Sequence, residues 1–197
     1  MKLLALWLAA LLFPAPQQDA VGFRQLVFTD SGATLGDYSF RLAEPDRPER
    51  PTAWQGPLTI ASGAKSCKAD VSLVTAVYGA AAMPFVVVVT YSGSNTYVHF
   101  IKTADCAKRW PSLKAFTEGV RVSGDRLSML PACDGAGDPF PARCFAGRVY
   151  QLTAATKPQF LRNESVQLTR QTLGVAFTGE AMVSHPKSAR ARIVVPN

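Results

Sequence analysis

The sequence predicts a mainly β protein: a single disulfide-stapled domain of antiparallel sheets, packed as a sandwich or in propeller-like fashion. Three observations predict it. Short runs of β-branched and aromatic residues recur between turn formers along most of the chain. Few stretches show the apolar period of a helix. Four cysteines, Cys67, Cys106, Cys133 and Cys144, follow what reads as an export signal.

Residues 1–20 carry that signal. Lys2 gives a positive start, and Leu3 to Phe13 is an unbroken apolar run. A run this short fits the h-region of a cleaved signal. It falls below the roughly 20 helical residues that a bilayer core demands. Ala15 and Ala20 both offer the small residue that cleavage wants. No second long apolar run follows, so no membrane span is expected after cleavage. Residues 21–197 are then read as one domain.

Period-2 patterning places strands at Phe23–Thr29, Tyr38–Ala43, Leu58–Ala61, Ser72–Tyr78, Phe85–Tyr91, Thr96–Lys102, Val120–Ser123, Arg126–Leu130, Arg148–Leu152, Ser165–Thr169, Val175–Thr178 and Arg192–Val195. Glu44 to Pro51, with three prolines and both charge signs, reads as a solvated loop. Pro111–Glu118 is expected to hold a short turn of helix. Phe85 to Val89 is apolar on both alternations, which predicts a strand covered on both faces. Ser92-Gly93-Ser94-Asn95 follows, all turn formers, and then Tyr97, His99 and Ile101 alternate with Val98, Phe100 and Lys102. This is a hairpin with a four-residue polar tip. A second hairpin is expected over Val120–Leu130, turning through Ser123-Gly124-Asp125. Residues 153–197 form a basic C-terminal segment that lacks cysteine but keeps the β alternation.

An even cysteine count in an exported chain reads as a disulfide framework. Three pairings are open, of which Cys67–Cys106 with Cys133–Cys144 is favoured. The second would close a loop of about 12 residues, worth on the order of 3 kcal/mol in the chain-entropy model. Zinc spacing is missing. The formal charge of +7 favours acidic partners and anionic surfaces. No compact Lys/Arg patch interleaved with aromatics points to nucleic acid.

The chemistry of catalysis is thin. His99 and His185 are the two histidines. The first reads as a packed strand residue and the second as a loop residue before Pro186. Oxidised cysteines offer no thiolate nucleophile. Asp134 and Asp138, with Gly135 and Gly137, supply too few oxygens for a calcium loop. The expectation is a non-enzymatic binding protein without metal or cofactor. Its best candidate contact is the Ser92–Asn95 tip, with Tyr91 and Tyr97 at its base as rigid contact area.

The stretch from Phe85 to Cys144 resembles the periplasmic immunity proteins of type VI secretion amidase effectors. The matching pieces are Ser66-Cys67, an apolar strand, Tyr91-Ser92-Gly93-Ser94, Thr103-Ala104-Asp105-Cys106, Val122-Ser123-Gly124-Asp125-Arg126-Leu127 and Cys133…Cys144. Phe23-Arg24-Gln25-Leu26 is similar to that family's first strand. The resemblance covers roughly half of the mature chain and implies a mostly β inhibitor in the periplasm. It would push a serine-bearing loop into the active-site cleft of a peptidoglycan amidase. Ser94 would be the plug, shaped by Ser92, Gly93 and Asn95. The basic segment beyond Thr153 lies outside the resemblance and suits an alternative role, binding an anionic envelope component.

Overall fold

The computed structural model of the chain describes residues 22–93, 95–131, 146–168 and 175–181. Among these residues every regular element is a strand: β1 (Arg24–Gln25), β2 (Gly32–Leu35), β3 (Tyr38–Arg41), β4 (Leu58–Ser62), β5 (Lys65–Ala69), β6 (Val74–Gly79), β7 (Phe85–Ser92), β8 (Asn95–Lys102), β9 (Lys108–Ser123), β10 (Arg126–Pro131), β11 (Ala146–Gln151), β12 (Gln159–Leu168) and β13 (Val175–Ala181). They pair antiparallel into two sheets. One has nine strands, in the order β1-β6-β7-β8-β9-β10-β11-β12-β13, and the other is the four-stranded meander β2-β3-β4-β5. The large sheet curls but does not close into a barrel.

The hairpin β7–β8 is the centre of the structure. Phe85 through Thr90 are all buried, as the double alternation predicts. Val86, Val88 and Ile101 face one way and pack against Phe40, Leu58 and Ile60 of the small sheet. Phe85, Val87, Val98 and Phe100 face the other way and meet Val122 of β9, Leu127 of β10 and Leu152 just past β11, which the curl of the sheet brings over them. A strand buried on both sides has no polar alternation to keep, and this one has none until Thr90.

Cys67 on β5 is bonded to Cys106, with the two Cα atoms 5.6 Å apart. This is the favoured first pairing. It ties the small sheet to the chain just beyond β8, at the end of the hairpin away from its turn. Cys133 and Cys144 lie outside the described residues, as does the strand expected over Arg192–Val195.

Several expectations need correction. Pro111–Glu118 is not a helix but part of the long strand β9, where Trp110 pairs with Phe100 and Leu113 with Val98. Pro111 has no N–H for a ladder bond, and the β8–β9 register shifts beside it, between Phe100 and Ile101 and between Val98 and Phe100. Cross-strand packing of Trp110 and Leu113 on the aromatic core overrides local helix propensity. The strand expected over Phe23–Thr29 shrinks to β1. Leu26 still donates its N–H to Val77, but the next stretch of the β6 edge is taken by Trp54, which pairs with Val74. Strands β2 and β5 were not expected. Gly32-Ala33 and Lys65-Ser66 have weak strand propensity, and their partners β3 and β4 recruit them.

The solvated loop at residues 44–51 is present, mostly exposed. Asp46 organises it, accepting the N–H groups of Thr52 and Ala53 and the Thr52 hydroxyl. These bonds, the Thr52 hydroxyl foremost, hold its carboxyl well below the ordinary range.

Candidate functional site

The hairpin turn is tighter than a four-residue tip. Ser92 pairs with Asn95 in register, so two residues make the reversal. Gly93 has φ +61°, and open space surrounds the position where a Cβ would stand. Left-handed backbone is the reason a glycine belongs there. Ser92 and Gly93 are exposed, whereas Asn95 is half-buried and pairs with Phe116 of β9. Ser94, the residue implied as the plug, lies outside the described residues.

The turn is not a free finger. Its β8 side is backed by β9, which runs on past Phe116 to Ser123. Both faces below it are packed, so the turn is carried on one of the most buried parts of the molecule. Tyr91 and Tyr97 do not form one contact surface. Tyr91 follows Val87 and Val89 onto the side covered by β9, while Tyr97, opposite Thr90, faces the other side. Tyr97 stacks on His99, with ring centroids 6.3 Å apart and planes 20° apart.

Beside the turn opens a cleft of about 560 Å³. It is lined by Ala76, Tyr78, Val89, Tyr91 and Thr96 and by Val120 of β9. A bulge in β6 shapes it: the register shifts between Val74 and Ala76, and Thr75 donates its hydroxyl to the Val89 carbonyl at 3.3 Å. Burial raises the Tyr78 phenol above its ordinary pKa, so the hydroxyl stays a neutral donor. Sequence reasoning missed this cleft because its lining comes from segments distant in sequence, among them Ala76, Tyr91 and Val120, which only strand pairing brings together.

His99 is a packed strand histidine, as expected from its alternation. It is 9% exposed, with Nε2 2.9 Å from Thr90 Oγ1 and Nδ1 2.6 Å from Ser112 Oγ. The ring thus ties β7, β8 and β9 together with two hydroxyls and no carboxylate. Burial first, and the charge of Lys108 second, push its pKa down to about 4. Because the folded value lies below the ordinary 6.5, the neutral ring stabilises the fold above about pH 6.5. That contribution is lost as pH falls through 4. Urea midpoints should therefore drop between pH 7 and pH 4, and His99→Gln should flatten the drop. An unchanged pH profile in that variant would show that the ring is not held neutral by its surroundings.

Among the described residues no group of three or more His, Cys, Asp or Glu is placed to hold a metal ion. No helix among them is long and apolar enough to cross a membrane. Asp134, Asp138 and His185 lie outside the described residues. No protein-family model matches the chain, and no curated protein is recognisably similar to it.

Proposed function

We propose that this chain is a periplasmic immunity protein that binds a cell-wall amidase effector and occludes its active-site cleft. One observation supports the reading most: the Ser92-Gly93 turn is exposed at the end of a hairpin buried on both faces. A turn carried on such a core loses little conformational freedom on binding, and preorganisation of that kind favours tight association. A serine hydroxyl both donates and accepts, so it can satisfy the polar groups of an active-site cleft without offering a scissile bond. Gly93 permits close approach of the backbone. The disulfide Cys67–Cys106 agrees with an oxidising compartment.

The test is inhibition of a co-purifying amidase by the mature chain. Ser94→Arg and Ser92→Arg should each weaken inhibition at least about tenfold, the scale of one lost hydrogen bond in a dry interface. The thermal midpoint of Ser92→Arg should stay at the parent value, because Ser92 is solvent-facing. Full inhibition by both variants would remove the turn from the contact. Undiminished amidase activity in excess parent protein would remove the function itself.

A second reading, a module for an anionic envelope component, is favoured by the charge distribution. Residues 1–107 carry eight Lys/Arg and eight Asp/Glu, whereas residues 108–197 carry thirteen against six, which accounts for the whole +7. Binding of that kind should weaken steeply with salt, because exposed charges are screened.

A further inference from the structure

We infer that the basic half of the molecule contains a pocket for the phosphate or carboxylate group of a small ligand, built by Arg121, Arg126 and Arg162. It goes beyond both readings above, since it concerns a small anion and holds whichever partner the chain has.

The pairing register carries the inference. Arg121 on β9 stands opposite Ser128 on β10, Ser128 opposite Val149 on β11, and Val149 opposite Arg162 on β12. Directly opposed residues share a face of the sheet, so these four make one row across four strands. The row has a guanidinium at each end and two small side chains between. Arg126 adds a third guanidinium on the next rung, opposite Ser123. All of these line one cavity of about 350 Å³. That volume is at the lower end of small-ligand sites. The strand β13 comes back toward β9, so the sheet curls around this region.

Two carboxylates border the same cavity, and they do not cancel it. Asp125 accepts a hydrogen bond from Gln151 Nε2 and lies 3.9 Å from Arg126 Nε, with both charged side chains half exposed. Glu164 is 3% exposed, with the Ser128 hydroxyl 3.5 Å away. A carboxylate buried that deeply is stable beside positive charge. Three guanidiniums against two carboxylates leave the pocket cationic. Arg121 has no ion-pair or side-chain hydrogen-bond partner among the described residues. A planar guanidinium presents a fork that matches phosphate and carboxylate oxygens, which is why arginine rather than lysine suits this place. Ser123 adds a hydroxyl donor to the lining, while the Ser128 hydroxyl is directed at Glu164.

The experiment uses the full oxidised mature chain, titrated separately with inorganic phosphate and with succinate at constant ionic strength balanced by chloride. Amide and arginine Nε–H resonances are followed by NMR. Saturable shifts centred on residues 121–128 and on Arg162 are expected for at least one anion, and which one responds names the group the pocket takes. Arg121→Gln and Arg126→Gln should each weaken that binding about tenfold or more, as loss of a charge-assisted pair does. Arg41→Gln, exposed on β3 in the neutral half, should leave it unchanged. Thermal unfolding in chloride alone checks that each variant folds. Absence of saturation with both anions, or equal weakening by Arg41→Gln, would overturn the pocket.

Discussion

Phe85→Ala is expected to remove about 3–5 kcal/mol of stability, the cost of deleting a fully buried phenyl ring and leaving a cavity. Phe85 is 0% exposed and is the hub of an aromatic cluster. Its ring centroid lies 5.3 Å from Phe23, 6.1 Å from Phe100 and 5.1 Å from Trp110, the last two edge to face. The Arg109 guanidinium caps the cluster, 5.6 Å from the Phe85 ring and 4.7 Å from Trp110, and is anchored by donating to the Ala154 carbonyl. Deleting Phe85 therefore opens a void among β7, β8, β9 and the chain at Phe23 at once, and little can collapse into it. Domains of this size are stable by about 5–15 kcal/mol, so the variant should stand near the edge of folding. Phe160→Ala supplies the control. That ring is 54% exposed and touches Tyr150 at 6.0 Å, so its loss should cost under about 1 kcal/mol. Urea unfolding of the two variants measures the contrast. Similar losses in both would mean that the aromatic cluster is not the core described.

The second large effect belongs to Cys67 and Cys106. Their bond spans a sequence separation of 39. Closing a loop of that length is worth about 4 kcal/mol in the chain-entropy model. Paired replacement of both by alanine should lower stability by roughly that amount, within a usual range of about 2–5 kcal/mol. The loss should be uneven. Cys67 lies on β5, the edge strand of the small sheet, so hydrogen exchange should accelerate first over Leu58–Ser62 and Lys65–Ala69. Backbone amides of β7, covered on one face by the small sheet and on the other by the curl of its own sheet, should remain the slowest. Uniform acceleration across both sheets would show that the bond acts only through the unfolded chain and not as a clamp between the layers.

Much of this architecture could be read in the chain. The double alternation of Phe85 to Val89 announced a strand covered on both faces, and the polar run after it announced the turn. Ser123-Gly124-Asp125 announced the reversal between β9 and β10, where Arg126 pairs with Ser123. The reason is the same each time: a period-2 pattern and turn chemistry are local properties, written into neighbouring residues. The weak strands β2 and β5 and the strand character of Pro111–Glu118 were not legible, because partners distant in sequence supply their pairing.

The candidate sites divide along the same line. By itself the sequence determined that a serine- and glycine-bearing turn would close a hairpin of apolar strands, and that the chain would be basic and β-rich. Only the tertiary structure decided that Tyr91 and Tyr97 look to opposite sides, that a cleft opens beside Tyr91, and that His99 binds hydroxyls from two other strands. It alone decided that Arg121, Arg126 and Arg162, up to 41 positions apart, share one cavity. The physical reason is register. Which residues stand opposite one another across four strands depends on every bulge and turn between them, and no single stretch of chain contains that information.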